Sequence, residues 1–394
     1  MAVNTMTFNQ LATVLTSIVG QATGKNGLTA TDTASFVSVG KIGLETGYDP
    51  LMSAISQVLS RTIFSVRPYS RKFAALEKDA IRYGNHVRKI NFVDTGFEDD
   101  ERRGLTDGQS VDMYVVKKPE VVQTNFYGFN TYQKHITIFR DQLTVAFSGP
   151  DEFQRFISGV MQTQTDELEQ ARENTARATI ANLIGGHYTL DRFSATKGSV
   201  VHLLTEYNAY TGSSITAADV FAPNIFPDFA RWMYGRIATL SKMLQERSSL
   251  YHLNFTGKTL MRHTPVADQQ LYMFTGAMDQ VTSNVLSTTF NDQYLRMIPR
   301  EDVTFWQAIE SPASINVHCS YVDLNGAVDD ANVSLSGIVM GVLFDTEAAG
   351  YNVANEWAQP SPFNVAGGYS NWYFHTDMKY YNDFSENCVV LLLD

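Results

Sequence analysis

Histidines, cysteines and acidic side chains are the residues of this chain that could do chemistry, and their spacing indicates which kind. The eight histidines never occur at the i, i+4 spacing that places two imidazoles on one helical face around a metal, and none accompanies a cysteine pair. His318 and Cys319 are neighbours in a run typical of a strand. Because adjacent side chains of a strand point to opposite faces, we do not expect this pair to form a catalytic dyad.

A charged cluster follows a predicted strand near residue 100. It lacks the alternating ligand spacing of a calcium loop, because its acids are consecutive and two arginines follow them. The cluster comprises Glu98, Asp99, Asp100, Glu101, Arg102 and Arg103. We expect a tip that is solvated or that meets opposite charge on a neighbouring subunit, and these six residues are the candidate inter-subunit contact.

Paired carboxylates for acid–base catalysis are suggested by a second acidic cluster, formed by Asp166, Glu167, Glu169 and Glu173. Arg172 and Arg177 lie within one helical turn or so of these acids, so an ion-paired helix face is the better interpretation. An aromatic cluster near the C-terminus is compatible with a sugar-stacking platform, but no paired acids accompany it, which favours packing in a core or an interface. Its members are Trp372, Tyr373, Phe374, Tyr380 and Tyr381.

Sequence signatures of nucleotide-binding and hydrolytic sites are missing from the chain. There is no glycine-rich phosphate loop with a lysine, no Gly-x-Gly-x-x-Gly after a strand and no Gly-x-Ser-x-Gly elbow. We therefore predict no catalytic residue, no metal and no cofactor. A hydrolytic or glycan-binding protein that uses the aromatic cluster remains as the alternative from another class.

The composition of the 394-residue chain indicates a folded protein whose surface is largely covered. Apolar residues make up 44% and aromatic residues 12%, enough for a sizeable core, whereas charged residues reach only 18%, below the roughly 25% usual in soluble domains. The net charge of −11 excludes a protein that grips nucleic acid by neutralising phosphates. No apolar run approaches the ~18 residues of a membrane span. Cys319 and Cys388 are expected to be buried free thiols.

The N-terminal third is predicted to contain segments without a core of their own. Residues 1–48 are rich in small polar residues, with one weak amphipathic stretch from Phe8 to Ile18, so they become ordered only against the body or a neighbouring chain. Asp49 and Pro50 are predicted to cap and open a short helix. A second short helix is predicted from about Ser70 to Tyr83.

A long hairpin is predicted next. Residues 86–93 form its first strand and residues 110–118, with Val111, Met113 and Val115 on one face, form the return strand. A two-stranded ribbon is marginal in water, so it should rest on another surface.

One long helix is the strongest local signal. Gly149 and Pro150 begin it and the pair Gly185–Gly186 is predicted to end it. Its length is about 35 residues, or roughly 50 Å at 1.5 Å per residue. Both ends are apolar and the middle is polar, which predicts a strut that joins two parts of one lobe.

Helices and strands alternate irregularly in the remaining half, which indicates an α+β class with mostly antiparallel sheet. Helices are predicted at 227–247 and 267–282. Strands are predicted at 259–263, 294–298, 304–309, 315–322, 336–344, 351–365, 369–381 and 388–393.

The order of these elements, together with the ending Phe344–Gly350 … Tyr381–Asn387, resembles the major capsid proteins of tailed bacteriophages with the Hong Kong 97-like fold. The resemblance implies an α+β chain with an N-terminal arm, an extended β-hairpin loop, a spine helix, a peripheral lobe and an axial lobe. The implied divisions are the arm at 1–66, the extended loop and flanking elements at 67–140, the peripheral domain at 141–224 with the spine at 149–185, the axial domain at 225–345 and the C-terminal return at 346–394.

What the resemblance implies for function is a non-enzymatic subunit of an icosahedral virion shell, synthesised in the host cytoplasm. Identical subunits would form pentamers and hexamers that enclose double-stranded DNA without sequence-specific binding and without a membrane. Because no long charged helical segment precedes the arm, the resemblance implies either a separate scaffold protein or none, and portal and decoration proteins are further candidate partners. Some relatives cross-link lysine to asparagine, and Lys89, Lys117 and Lys118 lie in the loop region. An encapsulin-like nanocompartment shell is the alternative within the same fold.

Overall fold

A computed structural model describes residues 7–25, 27–59, 72–78, 87–93, 96–97, 100–276 and 300–394. The predicted strand at 294–298, both ends of the predicted helix at 70–83 and the residues Glu98 and Asp99 lie outside these ranges. The described part of that predicted helix contains only a 3-10 turn at Ala74–Leu76, and Glu77 bridges to Tyr351, so the prediction of an α-helix is wrong there. Within the described residues, three buried apolar clusters hold helices against sheets.

Three helices at the N-terminus form the first cluster with the body of the same chain. They are α1 (Phe8–Thr23), α2 (Thr33–Thr46) and α3 (Tyr48–Leu59). Leu15, Ile18 and Phe36 are fully buried among side chains that include Phe153 and Trp372. The segment is thus ordered against its own body, one of the two surfaces expected for it.

The predicted cap at Asp49 is wrong, because α3 already begins at Tyr48. Asp49 lies in the first turn, where its Oδ1 accepts a hydrogen bond from the backbone N–H of Phe363 at 2.7 Å. The aspartate therefore ties this helix to a distant loop.

The long helix is present and exceeds its predicted end. After α4 (Arg140–Ala146), helix α5 runs from Pro150 to Arg192 over 43 residues. The predicted stop at Gly185–Gly186 is wrong, because both glycines are helical. A Cβ on Gly185 would lie 2.9 Å from a Val317 methyl, and one on Gly186 would lie 2.4 Å from the Phe384 ring. The pair permits close packing and does not end the helix.

A five-stranded sheet lies at the centre of the second and third clusters, with strand order β4-β12-β9-β5-β6. Its strands are β4 (Val200–His202), β5 (Gln269–Phe274), β6 (Arg300–Val303), β9 (Val339–Asp345) and β12 (Cys388–Leu392). Alternate residues of β12 face α5 on one side and the helices α6 (Leu203–Thr211) and α7 (Phe226–Gln245) on the other. This explains why the C-terminal strand is apolar at every position.

Three predictions near this sheet are wrong. The segment predicted as a helix from 267 begins instead with strand β5, because Leu271 and Met273 pack on the α7 side and Tyr272 on the α5 side. The segment 304–309 is a loop. Its Trp306 is buried and the indole N–H donates to the Val339 carbonyl at 3.0 Å, so the aromatic residue anchors an irregular segment. The predicted strand at 259–263 contributes only an isolated bridge between Ser248 and Arg262.

The remaining sheets pack against α5. A three-stranded antiparallel sheet consists of β10 (Ala349–Pro360), β11 (Tyr369–Asn382) and β3 (Gly128–Phe139), in the order β10-β11-β3. A hairpin of β7 (Ile315–Val322) and β8 (Val328–Leu335) packs against the C-terminal half of the helix. α5 therefore contacts both a peripheral sheet and the central core, as expected of a strut.

A two-stranded ribbon, here called the ribbon, consists of β1 (Val87–Phe92) and β2 (Val121–Phe126). The prediction that residues 110–118 form the return strand is wrong, because Phe92 pairs with Val121 and Val87 with Phe126. β2 leads through Tyr127 directly into β3, which β11 holds in place. The residues nearest that anchored strand therefore pair with β1, and residues 100–120 form no strand.

Candidate functional site: the ribbon, its loop and the adjoining groove

The root of the ribbon is held by a cluster of charges on the turn that precedes β12. The Nζ atom of Lys89 lies 2.9 Å from Asp383 Oδ2 and 2.6 Å from Glu386 Oε1. Arg262 approaches the same Glu386 at 3.2 Å and donates from Nε to the Ser385 carbonyl at 3.0 Å. Two cations thus converge on two largely buried carboxylates.

The electrostatics of this root follow from burial and charge together. Burial alone would lower the pKa of Lys89, but the carboxylates of Asp383 and Glu386 outweigh it and raise that pKa. Burial raises the pKa of Glu386 against the opposing charges of Lys89 and Arg262. Lys89 is therefore a fixed ammonium group in an ion pair, which is not the state of a nucleophilic amine.

Packing supports the same root. The ring centroids of Phe126 and Tyr381 lie 5.3 Å apart, and a Cβ on Gly128 would lie 2.2 Å from the Tyr380 carbonyl oxygen. The start of β3, directly after β2, thus lies so close to β11 that only glycine fits there. The ribbon leaves the body from a fixed position.

Beyond the root, the ribbon and its loop expose many large apolar side chains. Phe97 is fully exposed, and Met113 and Tyr114 are each 82% exposed. We call the following residues the apolar loop surface: Ile90, Phe92, Phe97, Leu105, Val111, Met113, Tyr114, Val115, Val116 and Val121. Soluble monomers seldom expose a contiguous group of this kind, which typically marks a binding surface.

The charged cluster predicted as the contact site lies within this loop, as far as it is described. Asp100 and Arg102 pair with each other at 2.5 Å, and both side chains are more than half exposed. Arg103 is exposed. The backbone is described also for Glu101, whereas Glu98 and Asp99 fall outside the described ranges. The role of this tip between subunits stays a prediction.

Sequence reasoning missed the apolar loop surface. The run Met113-Tyr114-Val115-Val116 has no polar residue, a signal that contradicts the alternation of a half-buried strand. The predicted return strand places Met113 and Val115 on one face and leaves the charges at the tip as the candidate contact.

A groove lies between β2 and two turns of the body and encloses about 550 Å³. One wall consists of the β2 residues Val121 to Asn125, and the other is formed by the β7–β8 turn with residues 255–258. Val121, Tyr127, Leu324 and Val328 contribute exposed apolar surface to it. The N–H of Thr256 donates to the Leu324 carbonyl at 2.8 Å, which joins the two turns into one wall.

The polar middle of α5 is ion-paired, as predicted, but its pairs face protein. Arg172 binds Glu169 at 2.7 Å and also Glu356 of β10 at 2.6 Å. Arg177 binds Glu173 at 2.6 Å, and both side chains are buried. The Arg177 guanidinium also lies 3.7 Å from the centroid of the Phe305 ring. These carboxylates are therefore neutralised structural groups.

The histidine and cysteine candidates are separated as expected. Cys319 is buried and His318 is exposed, where it approaches Asp330 at 2.6 Å, so the two side chains occupy opposite faces. Cys319 and Cys388 are free and buried, and burial raises the pKa of both thiols. Among the residues that the model describes, no group of His, Cys, Asp and Glu has the geometry of a metal site. No helix in that part of the chain is long and apolar enough to span a membrane.

The C-terminal aromatic residues lie on different faces of the peripheral sheet. Trp372 is 2% exposed and belongs to the N-terminal cluster, which agrees with the packing interpretation. Tyr373 and His375 lie on the other face, where His375 stacks on Trp357 at 3.9 Å between centroids. The five aromatics therefore do not form one platform.

A fold in which a long helix bridges two sheet-based regions, with a ribbon that exposes an apolar loop, defines a class of structural proteins that form shells. The family model of Phi29-like phage major capsid proteins matches residues 14–392. The chain belongs to this family. No curated protein sequence matches it.

The chain is also similar to chains in solved phage structures. A chain from the structure of the head fibre and inner core protein of native bacteriophage P68 has a TM-score of 0.53 at 9% identity, over 84% of this chain and 87% of that one. A chain from the capsid of Staphylococcus phage Andhra has a TM-score of 0.49 at 10% identity, over 84% and 87%. A chain from the capsid of cyanophage P-SCSP1u has a TM-score of 0.49 at 10% identity, over 84% and 90%.

The family match and the similarity to the P68 chain confirm the predicted α+β Hong Kong 97-like fold, and the family match confirms the predicted role as a structural subunit of a phage head. The chain is a structural subunit of an icosahedral phage head, located in the virion shell, and the family is one of structural proteins without enzymatic activity. The encapsulin-like and glycan-binding or hydrolytic alternatives gain no support.

Proposed function

We propose that this subunit assembles into pentamers and hexamers that close into a shell around double-stranded DNA. The observation that carries the proposal is the apolar loop surface, which extends from a fixed root and has no cover within the described part of its own chain. Burial of apolar surface yields about 25 cal/mol per Å². An association that covers this surface is therefore strongly favourable.

The proposed roles of the chain segments follow the order of the elements. Residues 1–66 serve as the arm, 67–140 as the extended loop and its flanks, 141–224 as the peripheral domain, 225–345 as the axial domain and 346–394 as the return. The helices α1 to α3 pack on the body of their own subunit. The ribbon and its loop are therefore the segments that we propose to contact a neighbouring subunit.

The charge of the subunit suits an enclosed genome that must remain mobile during packaging. A net charge of −11 repels DNA phosphates, so the shell wall contains the DNA without binding its sequence. We propose synthesis in the host cytoplasm and completion of the shell with separate scaffold, portal and decoration proteins.

Electron microscopy of the purified chain, with sedimentation analysis, tests this proposal. We expect rings or closed particles, and nuclease-protected double-stranded DNA in particles isolated from infected cells. Replacement of Met113, Tyr114 and Val116 by serine should abolish particles and leave the far-UV circular dichroism spectrum unchanged. A chain that stays monomeric at high concentration contradicts the proposal, as do variant particles formed at the wild-type yield.

A further inference from the structure

The outer edge of β2 has backbone groups without a strand partner. β1 is its one partner in the described part of the sheet. The Val93 N–H donates to the Glu120 carbonyl at 3.0 Å, which makes these two residues a hydrogen-bonded pair. Such pairs alternate with non-bonded pairs along an antiparallel ladder, so the peptide groups of Val121, Gln123 and Asn125 point away from β1. This edge forms a wall of the groove.

A free strand edge accepts an additional strand when a segment of suitable composition is within reach. Residues 111–116 of the loop have such a composition, with the sequence Val-Asp-Met-Tyr-Val-Val. All six are exposed, and none belongs to a strand in the subunit. Valine and tyrosine favour extended structure. In the free subunit, a turn at Met113 and Tyr114 interrupts the segment, and the Tyr114 N–H donates to Asp112 Oδ1 at 2.9 Å. Addition to a sheet edge therefore requires this exposed turn to open.

The segment does not lie beside the groove of its own subunit. The ladder continues past Phe92 and Val121 to the hydrogen bond between Val93 and Glu120, so the chain before β2 still runs along β1. None of residues 111–116 is among the residues that line the groove of their own subunit. Residues 111–116 of a neighbouring copy can approach the groove from outside the subunit.

Charge favours the same pairing. Lys258 is the single charged residue among those that line the groove. Asp112 is the single charged residue of the segment 111–116. A carboxylate on the added strand thus meets an ammonium group on the opposite wall, and the rest of both surfaces is apolar or uncharged.

We propose that residues 111–116 of one subunit add as a strand to the free edge of β2 in a neighbouring copy, within the groove, with Asp112 facing Lys258. The proposal rests on the shell assembly proposed above. Donor and acceptor are different surfaces of the same chain, so the contact is heterologous. Repetition of a heterologous contact produces a ring when the rotation closes, as in pentamers and hexamers.

A proline substitution tests the backbone part of the proposal. Gln123→Pro removes an N–H that points into the groove and leaves the hydrogen bonds to β1 intact, whereas Gln123→Ala keeps the N–H and is the matched control. Particle yield is measured by sedimentation and electron microscopy beside wild type. We expect at least a tenfold loss for Gln123→Pro, a wild-type yield for Gln123→Ala and an unchanged far-UV spectrum for both.

A charge exchange tests the pairing independently of any effect of proline on folding. Asp112→Lys and Lys258→Glu should each lower particle yield several-fold, because each places two like charges together. The double variant exchanges the charges and should recover most of the yield. Equal yields for Gln123→Pro and Gln123→Ala, or a double variant no better than the two single variants, overturn the strand-addition proposal.

Wild-type particles distinguish this failure from a failure of the proposed function. If wild type and all variants form particles equally, assembly stands and strand addition is wrong. If wild type forms no particles, both proposals fall. An altered environment of Lys258 in unassembled Asp112→Lys subunits also overturns the proposal, because it indicates a contact inside one chain.

Discussion

The Nζ atom of Lys89 lies 2.9 Å from Oδ2 of Asp383, a residue that is 2% exposed on the turn before the last strand. This ion pair joins two segments separated by most of the sequence, the ribbon and the C-terminal return. Its position at the root means that one side chain fixes the direction in which the ribbon leaves the body. Ribbon stability and core stability are therefore coupled through Lys89.

Replacement of Lys89 by methionine should destabilise the subunit. The change keeps the length of the side chain but leaves the carboxylates of Asp383 and Glu386 without their nearest cation. We expect the free energy of unfolding to fall by about 1–3 kcal/mol, since the site is partly open to solvent. Urea unfolding followed by circular dichroism measures the change. Lys118→Met, at an exposed position of the loop, is the control, and equal midpoints for the two variants would contradict the anchoring role.

Acid should unfold the protein in part through His187. Burial, with a smaller contribution from the charge of His252, lowers the pKa of His187 from 6.5 to about 3. Between these values the unfolded chain binds a proton that the folded chain does not, so stability is complete above pH 6.5 and decreases as the pH falls. The slope from this residue is about 1.4 kcal/mol per pH unit.

His187→Leu removes this titration. Neither ring nitrogen of His187 has a hydrogen-bond partner in the structure, so leucine should be tolerated in this buried position. The variant should retain its stability at pH 7 and lose less of it between pH 6 and pH 4 than wild type. His135→Leu, at an exposed position, is the control for the loss of a histidine as such. Parallel pH profiles for His187→Leu and wild type would exclude His187 as a source of acid sensitivity.

Two glycines of α5 should respond in opposite directions to alanine. A Cβ on Gly186 would lie 2.4 Å from the Phe384 ring, whereas a Cβ on Gly159 meets no atom within 4 Å. Gly186→Ala should therefore cost about 1–3 kcal/mol through overpacking, and Gly159→Ala should stabilise the helix by about 0.5–1 kcal/mol. Thermal unfolding of both variants beside wild type checks the sign of each change. Two shifts of the same sign would mean that packing does not explain the glycine at 186.

The parts of the fold that could be predicted are those set by local sequence. The start of α5 follows from Pro150, which suits the first turn of a helix, and α7 follows from an apolar stripe of helical period. The all-apolar strand β12 was recognisable because both of its faces are buried. In each case one segment contains the whole signal.

The errors arise where a partner distant in sequence decides the structure. Gly186 lies against Phe384. Without that contact, the pair Gly185–Gly186 indicates the end of a helix, which is why the sequence predicts the wrong end for α5. β1 pairs with β2 because β3 is held by β11, far along the chain. The groove combines residues near 121, 256 and 325, so no single segment indicates it. The sequence indicates the charged tip directly. The apolar residues after it, at 110–118, have a strand-like pattern in the sequence but form no strand in the structure.

The charged tip provides a final prediction about assembly. Arg102 already pairs with Asp100 in its own subunit, whereas Arg103 is exposed beside it. If the tip meets acidic groups of a neighbour, Arg102→Glu and Arg103→Glu together should reduce particle yield and leave the far-UV spectrum of the subunit unchanged. Each exposed ion pair contributes only about 0–1 kcal/mol, so the effect depends on its repetition around the shell.

The two single variants distinguish the contribution of Arg102 to assembly from that of Arg103. Arg102→Glu breaks a pair within the subunit, and Arg103→Glu changes only the charge that the tip presents outward. A larger loss of particles for Arg103→Glu than for Arg102→Glu therefore indicates a contact across a subunit boundary. Because the attraction is between charges, added salt should reduce the difference between wild type and Arg103→Glu. A double variant that assembles at the wild-type yield in low salt shows that the apolar loop surface, and not the charged tip, forms the contact.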